Sequence, residues 1–292
     1  MSQALNWSPE QDTKNIREGA QALQTELHRR IYDPSFNDAA STRAFLDSPR
    51  THWRRTALEK FQLFKGGPIA GHVLEIGAGT GWCAAWLSRL PAVEKVYAVE
   101  YDAYAVEQLM PKVFVHAGAQ ADKIVRVLGS FNHMPEAHGR MDMVVSIGAI
   151  HHSENLLATL TEVGRVLKPG GYFVALEPCE PNSLSLREQE ALGEREDPSA
   201  MRKYGRKARH KDNSDHYYRL CEFEAAALWS GLDAWSYVFD WRGSWLGSND
   251  RAFRARRTYD GLRKIVLRPY FAKRQNGAPV FDRLLLIAQK PE

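Results

Sequence analysis

The chain has 292 residues and a mass of 33.1 kDa, with 44% hydrophobic residues, 25% charged residues and a net charge of +4. This composition is globular and excludes a disordered chain, a collagen-like fibre and a disulfide-rich scaffold. Its apolar runs fall far short of the ~18 residues that span a bilayer. The three cysteines, Cys83, Cys179 and Cys221, form no CxxC pair, and the first residues lack the apolar stretch of a secretory leader. We therefore expect reduced thiols and a cytoplasmic location.

The N-terminal residues have a helical pattern. Apolar residues recur at steps of three and four from Ile16 to Ile31 and again from Trp53 to Phe64, which places each set on one helix face. Gly66, Gly67 and Pro68 then interrupt the pattern. We predict an N-terminal helical cap over residues 1–65 and a second unit over residues 66–292.

Beyond residue 66, short apolar runs alternate with helical stretches. The predicted strands are 72–76, 95–100, Ile124–Leu128, 142–146 and 171–177, with two later strands at 234–239 and 280–289. Predicted helices lie between the earlier strands at 82–89, 103–113 and 154–167. This alternation predicts an α/β, Rossmann-like, mostly parallel sheet with helices on both faces. Helical insertions at 179–220 and 242–278 precede the last two strands, and we interpret them as a lid over an acceptor.

The most informative segment is the run V-L-E-I-G-A-G-T-G-W, which begins at Val73. A buried strand leads there into Gly77, Gly79 and Gly81 and then into a helix. Glycines permit a tight turn and let a ligand lie against the backbone, and the amides at a helix N-terminus favour an anionic group. Glu100 ends the next strand nineteen residues after Gly81, where an acid can bind ribose hydroxyls. The pattern predicts an adenosine-type ligand with an anionic tail.

Glu75 separates two classes of such ligands. A dinucleotide-binding loop has the spacing G-x-G-x-x-G, whereas this chain has G-x-G-x-G preceded by Glu75. A carboxylate there would repel a pyrophosphate, but it suits an amino-acid ammonium group. The segment E-I-G-A-G-T-G resembles the first motif of class I S-adenosylmethionine-dependent methyltransferases.

Later segments resemble that family in the same order. V-Y-A-V-E ends at Glu100, L-G-S-F ends at Phe131, M-D-M-V-V-S ends at Ser146, and L-K-P-G-G ends at Gly171. The resemblance covers residues 66 to about 178. It implies S-adenosylmethionine as cofactor and S-adenosylhomocysteine as product. The cofactor-binding residues that it implies are Glu75, Gly77, Ala78, Gly79, Gly81, Glu100, Tyr101, Ser130, Phe131 and Ser146.

Candidate catalytic residues follow the fourth and fifth strands of the motif region. His151 and His152 lie just past one strand, and Glu177 ends the next, at the edge where ligands bind in open α/β sheets. A hydroxyl acceptor must lose its proton, and histidine is the apt base near neutral pH. We prefer His151 to His152, while a role in shaping the pocket is the alternative for both. Glu177 could orient a histidine, bind an acceptor hydroxyl or make a structural hydrogen bond.

The acceptor is left more open than the cofactor. The leading hypothesis is O-methylation of a small sugar-like or secondary-metabolite acceptor. Small-molecule N-methylation, RNA methylation and a binding protein without chemistry are the alternatives. Two basic runs, within 201–211 and 251–274, favour an anionic acceptor if they form a lid, and otherwise form a solvated face or touch a membrane surface. The sequence contains no recognisable RNA-binding module and no evident set of metal ligands, which argues against nucleic acid and predicts no metal, while the oligomeric state is undetermined.

Overall fold

The computed structural model describes residues 4–7, 20–239 and 282–292. The strands in these residues are β1 (Leu5–Asn6), β2 (Gly71–Ile76), β3 (Val93–Glu100), β4 (Ile124–Leu128), β5 (Met141–Ile147), β6 (Leu167–Cys179), β7 (Asp233–Phe239) and β8 (Asp282–Gln289). The helices are α1 (Ala20–Leu27), α2 (Ala39–Leu46), α3 (Pro49–Lys65), α4 (Trp82–Ser88), α5 (Met110–His116), α6 (Leu156–Val166), α7 (Leu186–Gly193), α8 (Ala200–Tyr204) and α9 (Leu220–Trp229). A π-helical turn, His28–Tyr32, extends α1, and a second one, Ala105–Leu109, precedes α5.

All eight strands belong to a single sheet with the order β1-β4-β3-β2-β5-β6-β8-β7. The strands from β1 to β6 are parallel, and β8 runs antiparallel to both β6 and β7. The carboxyl ends of β2, β3, β4, β5 and β6 therefore meet at one edge of the sheet. That edge holds the functional site, as expected for an open α/β sheet.

Helices cover both faces of the sheet, as the sequence predicts. Buried residues of α3, α4 and α5 form one core against the sheet, and buried residues of α6 and α9 form the core on the opposite face. The central strands are buried on both sides, which explains their continuous apolar sequences. The sheet and the paired cores confirm the predicted Rossmann-like architecture.

The N-terminal part differs from the prediction at one point. It is not wholly helical, because Leu5 and Asn6 form a short strand parallel to β4 at the sheet edge. The Trp7 amide adds a hydrogen bond to the Leu128 carbonyl at 2.9 Å, and the Trp7 ring stacks on Tyr97 with centroids 6.1 Å apart. The predicted helical insertion at 242–278 lies outside the described residues.

Candidate active site

A cavity of about 450 Å³ opens above the carboxyl ends of the parallel strands. Several parts of the chain surround it. The turns after β2, β3, β4 and β5 form its floor, α1 with its π-helical extension covers it, and residues of the 179–220 insertion close one side. Insertion residues that line the cavity are Lys203, Tyr204, Asn213, Ser214 and Asp215.

The structure brings eight of the ten predicted cofactor-binding residues to this cavity. They are Glu75, Gly77, Ala78, Gly79, Glu100, Tyr101, Ser130 and Phe131. Gly81 and Ser146 do not line it. The Ser146 hydroxyl instead donates a hydrogen bond of 2.6 Å to Glu177 beneath the site.

Glu75 is buried and has an unused acceptor at the cavity. Among the described residues, its Oε2 has no hydrogen-bond partner. Burial, reinforced by the charge of Glu100, raises the pKa of Glu75 to about 8. A buried carboxylate without a partner is costly, and a cationic ligand group would offset that cost. Glu75 therefore fits the ammonium group of S-adenosylmethionine.

Glu100 organises the glycine loop from below. Its Oε2 accepts a hydrogen bond of 2.8 Å from the Gly79 amide, while its Oε1 accepts from the amides of Tyr101 and Asp102 at 2.9 and 3.0 Å. Each carboxylate oxygen can accept more than one hydrogen bond, so the same group can also bind ribose hydroxyls. Glu100 thus connects the shape of the loop to the binding of the sugar.

Glycine is required at positions 77 and 81 for different structural reasons. Gly77 has a φ of 63°, and a Cβ there would lie 2.3 Å from the Cβ of Ala149, so only glycine lets the β2 and β5 turns approach. Gly81 has a φ of 75°, and its Cβ would lie 2.8 Å from the Phe114 ring. Gly81 therefore lets α4 pack against α5, away from the cavity.

A buried histidine above the glycine loop was missed by sequence reasoning. His28 Nδ1 lies 2.5 Å from Asp102 Oδ2, and Thr25 donates to the other Asp102 oxygen at 2.7 Å. Burial acts to raise the pKa of Asp102, but the hydrogen bond and charge of His28, together with the hydrogen bonds from Thr25 and the Tyr104 amide, outweigh it and lower that pKa. The His28 ring faces Gly79, and because its Nδ1 donates to Asp102, its Nε2 is left as a hydrogen-bond acceptor toward the cavity.

One feature of the sequence could have indicated that α1 packs over the cavity. Gln24 and His28 lie four residues apart on a helix face that is otherwise apolar, and both are at least 90% buried. Gln24 donates a hydrogen bond of 2.8 Å to Asn213, which joins α1 to the 179–220 insertion. Polar residues on an apolar helix face indicate specific tertiary partners, although the partners themselves cannot be read from the spacing.

His151 and Glu177 form a hydrogen-bonded pair beside the cofactor residues. His151 Nδ1 lies 2.8 Å from Glu177 Oε2, and the side chain of His151 keeps 14% exposure at the cavity. Glu177 does not line the cavity. Its Oε1 accepts from the Ser146 hydroxyl at 2.6 Å and from the Ala149 and Ile150 amides at 3.0 and 3.2 Å.

These contacts define the charge of Glu177. Burial acts to raise the pKa of Glu177. The hydrogen bond and charge of His151, together with the hydrogen bonds from Ser146 and the Ala149 amide, outweigh burial and lower that pKa. An ionised Glu177 accepts a hydrogen bond from the Nδ1–H group of His151. The Nε2 atom is then the acceptor, which is the arrangement that a general base requires.

The second histidine has a different environment. His152 Nδ1 lies 3.3 Å from the Ser214 carbonyl, so that this nitrogen is the donor. Burial, together with the neighbouring His151, lowers the pKa of His152 to about 4. His152 is therefore neutral at pH 7 and a weak base.

Asp215 completes a cluster with the two histidines. One of its oxygens, Oδ1, lies 3.7 Å from His151 Nε2 and 3.4 Å from His152 Nδ1. Burial acts to raise the pKa of Asp215, but the interactions with His210, His152 and His151 together outweigh it and lower that pKa. The sequence predicts no set of metal ligands. In the structure, one ligand atom from each of His151, His152 and Asp215 lies within 4.8 Å of the other two. The donor set suits a divalent metal as well as acid–base chemistry.

Comparison with known proteins gives the class of the domain. Residues 74–175 match the model of a family described as a methyltransferase domain. The chain is 29% identical over 137 residues to demethylmenaquinone methyltransferase of Lactiplantibacillus plantarum, covering 47% of this chain and 55% of that protein. It is 32% identical over 123 residues to dimethylglycine N-methyltransferase of Parasynechococcus marenigrum, covering 41% of each. The chain thus spans about half the length of the curated relatives it matches.

A solved structure has a similar fold. It is phosphoethanolamine N-methyltransferase 2 of Haemonchus contortus in complex with phosphomonomethylethanolamine and S-adenosylhomocysteine. The TM-score is 0.58 at 17% identity, covering 92% of this chain and 60% of the other.

The fold and the matched segment identify residues 74–175 as part of a methyltransferase domain, which confirms the resemblance seen in the sequence. Its cofactor is S-adenosylmethionine, and Glu75, Glu100 and the Gly77–Gly79 turn are suited to hold it. In the described part of the chain, no helix is long and apolar enough to cross a membrane.

Proposed function

We propose that this chain is an O-methyltransferase for a small-molecule acceptor and that His151 is its general base. The observation that carries the proposal is the His151–Glu177 pair at 2.8 Å, placed at the cavity that holds the predicted cofactor residues. Such a pair is needed for a hydroxyl acceptor, because a neutral hydroxyl is a poor nucleophile until its proton is removed.

The residues divide the chemical work among them. S-adenosylmethionine supplies an activated methyl group, so the protein mainly has to hold the acceptor in line and remove its proton. His151 Nε2 would take that proton. Glu177 would fix the ring through Nδ1, and Asp215, at 3.7 Å from Nε2, would stabilise the imidazolium that forms. Glu177 is in this proposal a positioning residue.

The acceptor proposed is small, polar and anionic. The 179–220 insertion acts in this proposal as a lid, because Tyr204 and Asp215 on it face the cavity. The Haemonchus contortus protein was solved in complex with a phosphorylated small molecule and S-adenosylhomocysteine, and a phosphorylated small molecule is the kind of acceptor such a cavity would suit. Sugar-like acceptors carry the hydroxyls that the His151 mechanism needs. The buried free thiols of Cys83 and Cys179 support a cytoplasmic location.

N-methylation is the second candidate function, since one curated relative is a dimethylglycine N-methyltransferase.

The first basic run argues against the RNA alternative, because most of its charges are paired within the protein. Within 201–211, four of the six cations pair with acids of the 194–197 stretch at 2.6–3.5 Å: Lys203, Lys207, Arg209 and Lys211. A charge paired within the protein contributes less to phosphate binding. A binding protein without chemistry would not need the His151–Glu177 pair.

The base assignment is tested with labelled S-adenosylmethionine and a panel of hydroxylated and aminated small molecules. His151→Ala should bind the cofactor as wild type does and lose about 10²–10⁴-fold in turnover on a hydroxyl acceptor. His152→Ala is the matched neighbour and should lose less. Glu177→Gln should lower turnover and move the acidic limb of the rate profile to lower pH, because the imidazolium loses its carboxylate partner.

Three results would reject the assignment. Full turnover of His151→Ala with an unchanged pH profile would exclude His151 as the base. Transfer to amines and not to hydroxyls would favour N-methylation. Loss of activity on chelation, restored by a divalent cation, would assign the His151–His152–Asp215 cluster to a metal.

A further inference from the structure

Three arginines converge on the acceptor side of the cavity. Arg50 and Arg54 lie one turn apart on α3, and Arg283 lies on β8 opposite Pro178 of β6. The guanidinium carbons of Arg54 and Arg283 both lie 5.8 Å from the centre of the Trp53 ring. Two distant elements thus bring like charges to one place.

Their charges have no acidic partner within the described residues. No carboxylate there lies within ion-pair distance of these arginines, whereas the neighbouring Arg55 has Asp47 at 4.0 Å. The Nε atoms of Arg54 and Arg283 are buried without a hydrogen-bond partner. Burial, followed by the charge of Arg50, lowers the pKa of Arg54 to about 10 and also lowers that of Arg283. The free protein therefore keeps desolvated positive charges that repel each other.

The arginines line the same cavity as the proposed base. A Cβ on Gly148 would lie 3.6 Å from Arg54 Nη2, and Gly148 lies two residues before the Ile150–His152 turn that carries His151. Glu177 is the nearby acid, but its oxygens already accept hydrogen bonds from Ser146, two backbone amides and His151. It orients the histidine and leaves the guanidinium groups to another anion.

We infer that Arg50, Arg54 and Arg283 form an anion-binding site that holds a phosphoryl group of the acceptor. Guanidinium forks pair with phosphate oxygens through two parallel hydrogen bonds, and three cations match a dianionic phosphate better than a singly charged carboxylate. This inference rests on the proposed function, since it makes the acceptor of His151 a phosphorylated hydroxyl compound. The phosphoryl group would anchor the acceptor while its hydroxyl lies at His151.

Inorganic phosphate is the probe, and its binding is measured by calorimetry on the full chain without any turnover. Arg54→Gln and Arg283→Gln should each weaken phosphate binding about tenfold or more. Arg54→Lys should fall between, since it keeps the charge and loses the fork. Arg55→Gln is the matched control, one residue away on the same helix, and should bind phosphate as wild type does.

Thermal stability gives an independent reading. Without phosphate, Arg54→Gln should unfold about 2–4 °C higher than wild type, because it removes a desolvated charge; a purely structural arginine would give a lower melting temperature. At one phosphate concentration, phosphate should raise the melting temperature of wild type more than that of Arg54→Gln.

The outcomes separate this inference from the proposed base. Equal phosphate affinity in Arg54→Gln and Arg55→Gln, or tighter binding of malonate than of phosphate, would overturn the phosphoryl site. Either result would leave the His151 test unaffected. Phosphate binding that depends on Arg54, in a protein whose His151→Ala variant is fully active, would support the site and reject the base.

Discussion

At the scale of single residues, Glu75 has the most distinctive environment in the site. Its pKa of about 8 means that it carries a proton at pH 7 in the absence of cofactor. Binding of an ammonium group favours the carboxylate and should release that proton. We predict that S-adenosylmethionine binding at pH 7 releases roughly one proton from Glu75, measured by calorimetry in two buffers of different ionisation enthalpy.

Glu75→Gln is the matched variant for this prediction, because it keeps the shape and removes the titration. It should bind the cofactor more weakly and release correspondingly fewer protons. A raised folded pKa also means that the free energy of unfolding of the cofactor-free protein falls as pH rises from the ordinary pKa of 4.5 to about 8 and then levels off, and Glu75→Gln should lose that fall. Equal proton release in both proteins would show that the proton comes from another group.

Residues of the site differ in how visible they are from the sequence. Glu75 and Glu100 could be predicted because they sit at fixed distances from a glycine loop on neighbouring strands. His28 could not, because its partner Asp102 is 74 residues away and the contact depends on how α1 crosses the sheet edge. Arg283 was likewise hidden, since its role comes from the antiparallel pairing of β8 with β6.

At the scale of elements, the glycines after β2 serve two different purposes. Gly81 allows helices to pack, whereas Gly77 lines the cavity. A methyl group at position 81 would meet the Phe114 ring at 2.8 Å, whereas at Gly118, also at positive φ, nothing lies within 4 Å. We predict that Gly81→Ala lowers the free energy of unfolding by about 2–4 kcal/mol and Gly118→Ala by about 1 kcal/mol. Denaturant unfolding of both variants measures the difference, which isolates the clash between α4 and α5.

Cofactor binding gives the second half of this comparison. Once folded, Gly81→Ala should bind S-adenosylmethionine within a few-fold of wild type, because Gly81 does not line the cavity. Gly77→Ala should lose binding, since its methyl group would push apart the two turns that form the cavity floor. If Gly81→Ala lost cofactor affinity strongly without a lower free energy of unfolding, Gly81 would instead belong to the ligand site.

Element boundaries were predicted well where the pattern was long and poorly where it was short. The central strands and α6 agree with their predicted positions within a few residues, because each buries a continuous stripe. The strand Leu5–Asn6 has only two residues and depends on pairing with β4. No local sequence pattern can predict such a pairing. The π-helical turn His28–Tyr32 also escapes prediction, although such turns often occur at functional sites.

At the scale of the whole molecule, the site exists only when distant parts of the chain are assembled. α1 is tied to the sheet by His28 and Asp102, and to the 179–220 insertion by the 2.8 Å hydrogen bond from Gln24 to Asn213. The cavity between them takes contributions from helices, sheet edge and insertion. A ligand that touches all three should therefore tighten their association as well as occupy the space.

We predict that S-adenosylmethionine slows backbone hydrogen exchange of residues 20–32 by about tenfold or more, because α1 and its π-helical extension form the cover of the cofactor cavity. Exchange followed by mass spectrometry, with and without cofactor, measures the effect. α9 (Leu220–Trp229) is the internal control, since it packs on the far face of the sheet and should change much less. In His28→Ala, the free protein should exchange faster over residues 20–32, and the cofactor should restore less protection. Equal slowing in α9 and residues 20–32 would mean that the cofactor stabilises the fold as a whole, and unchanged exchange over residues 20–32 would mean that α1 takes no part in binding.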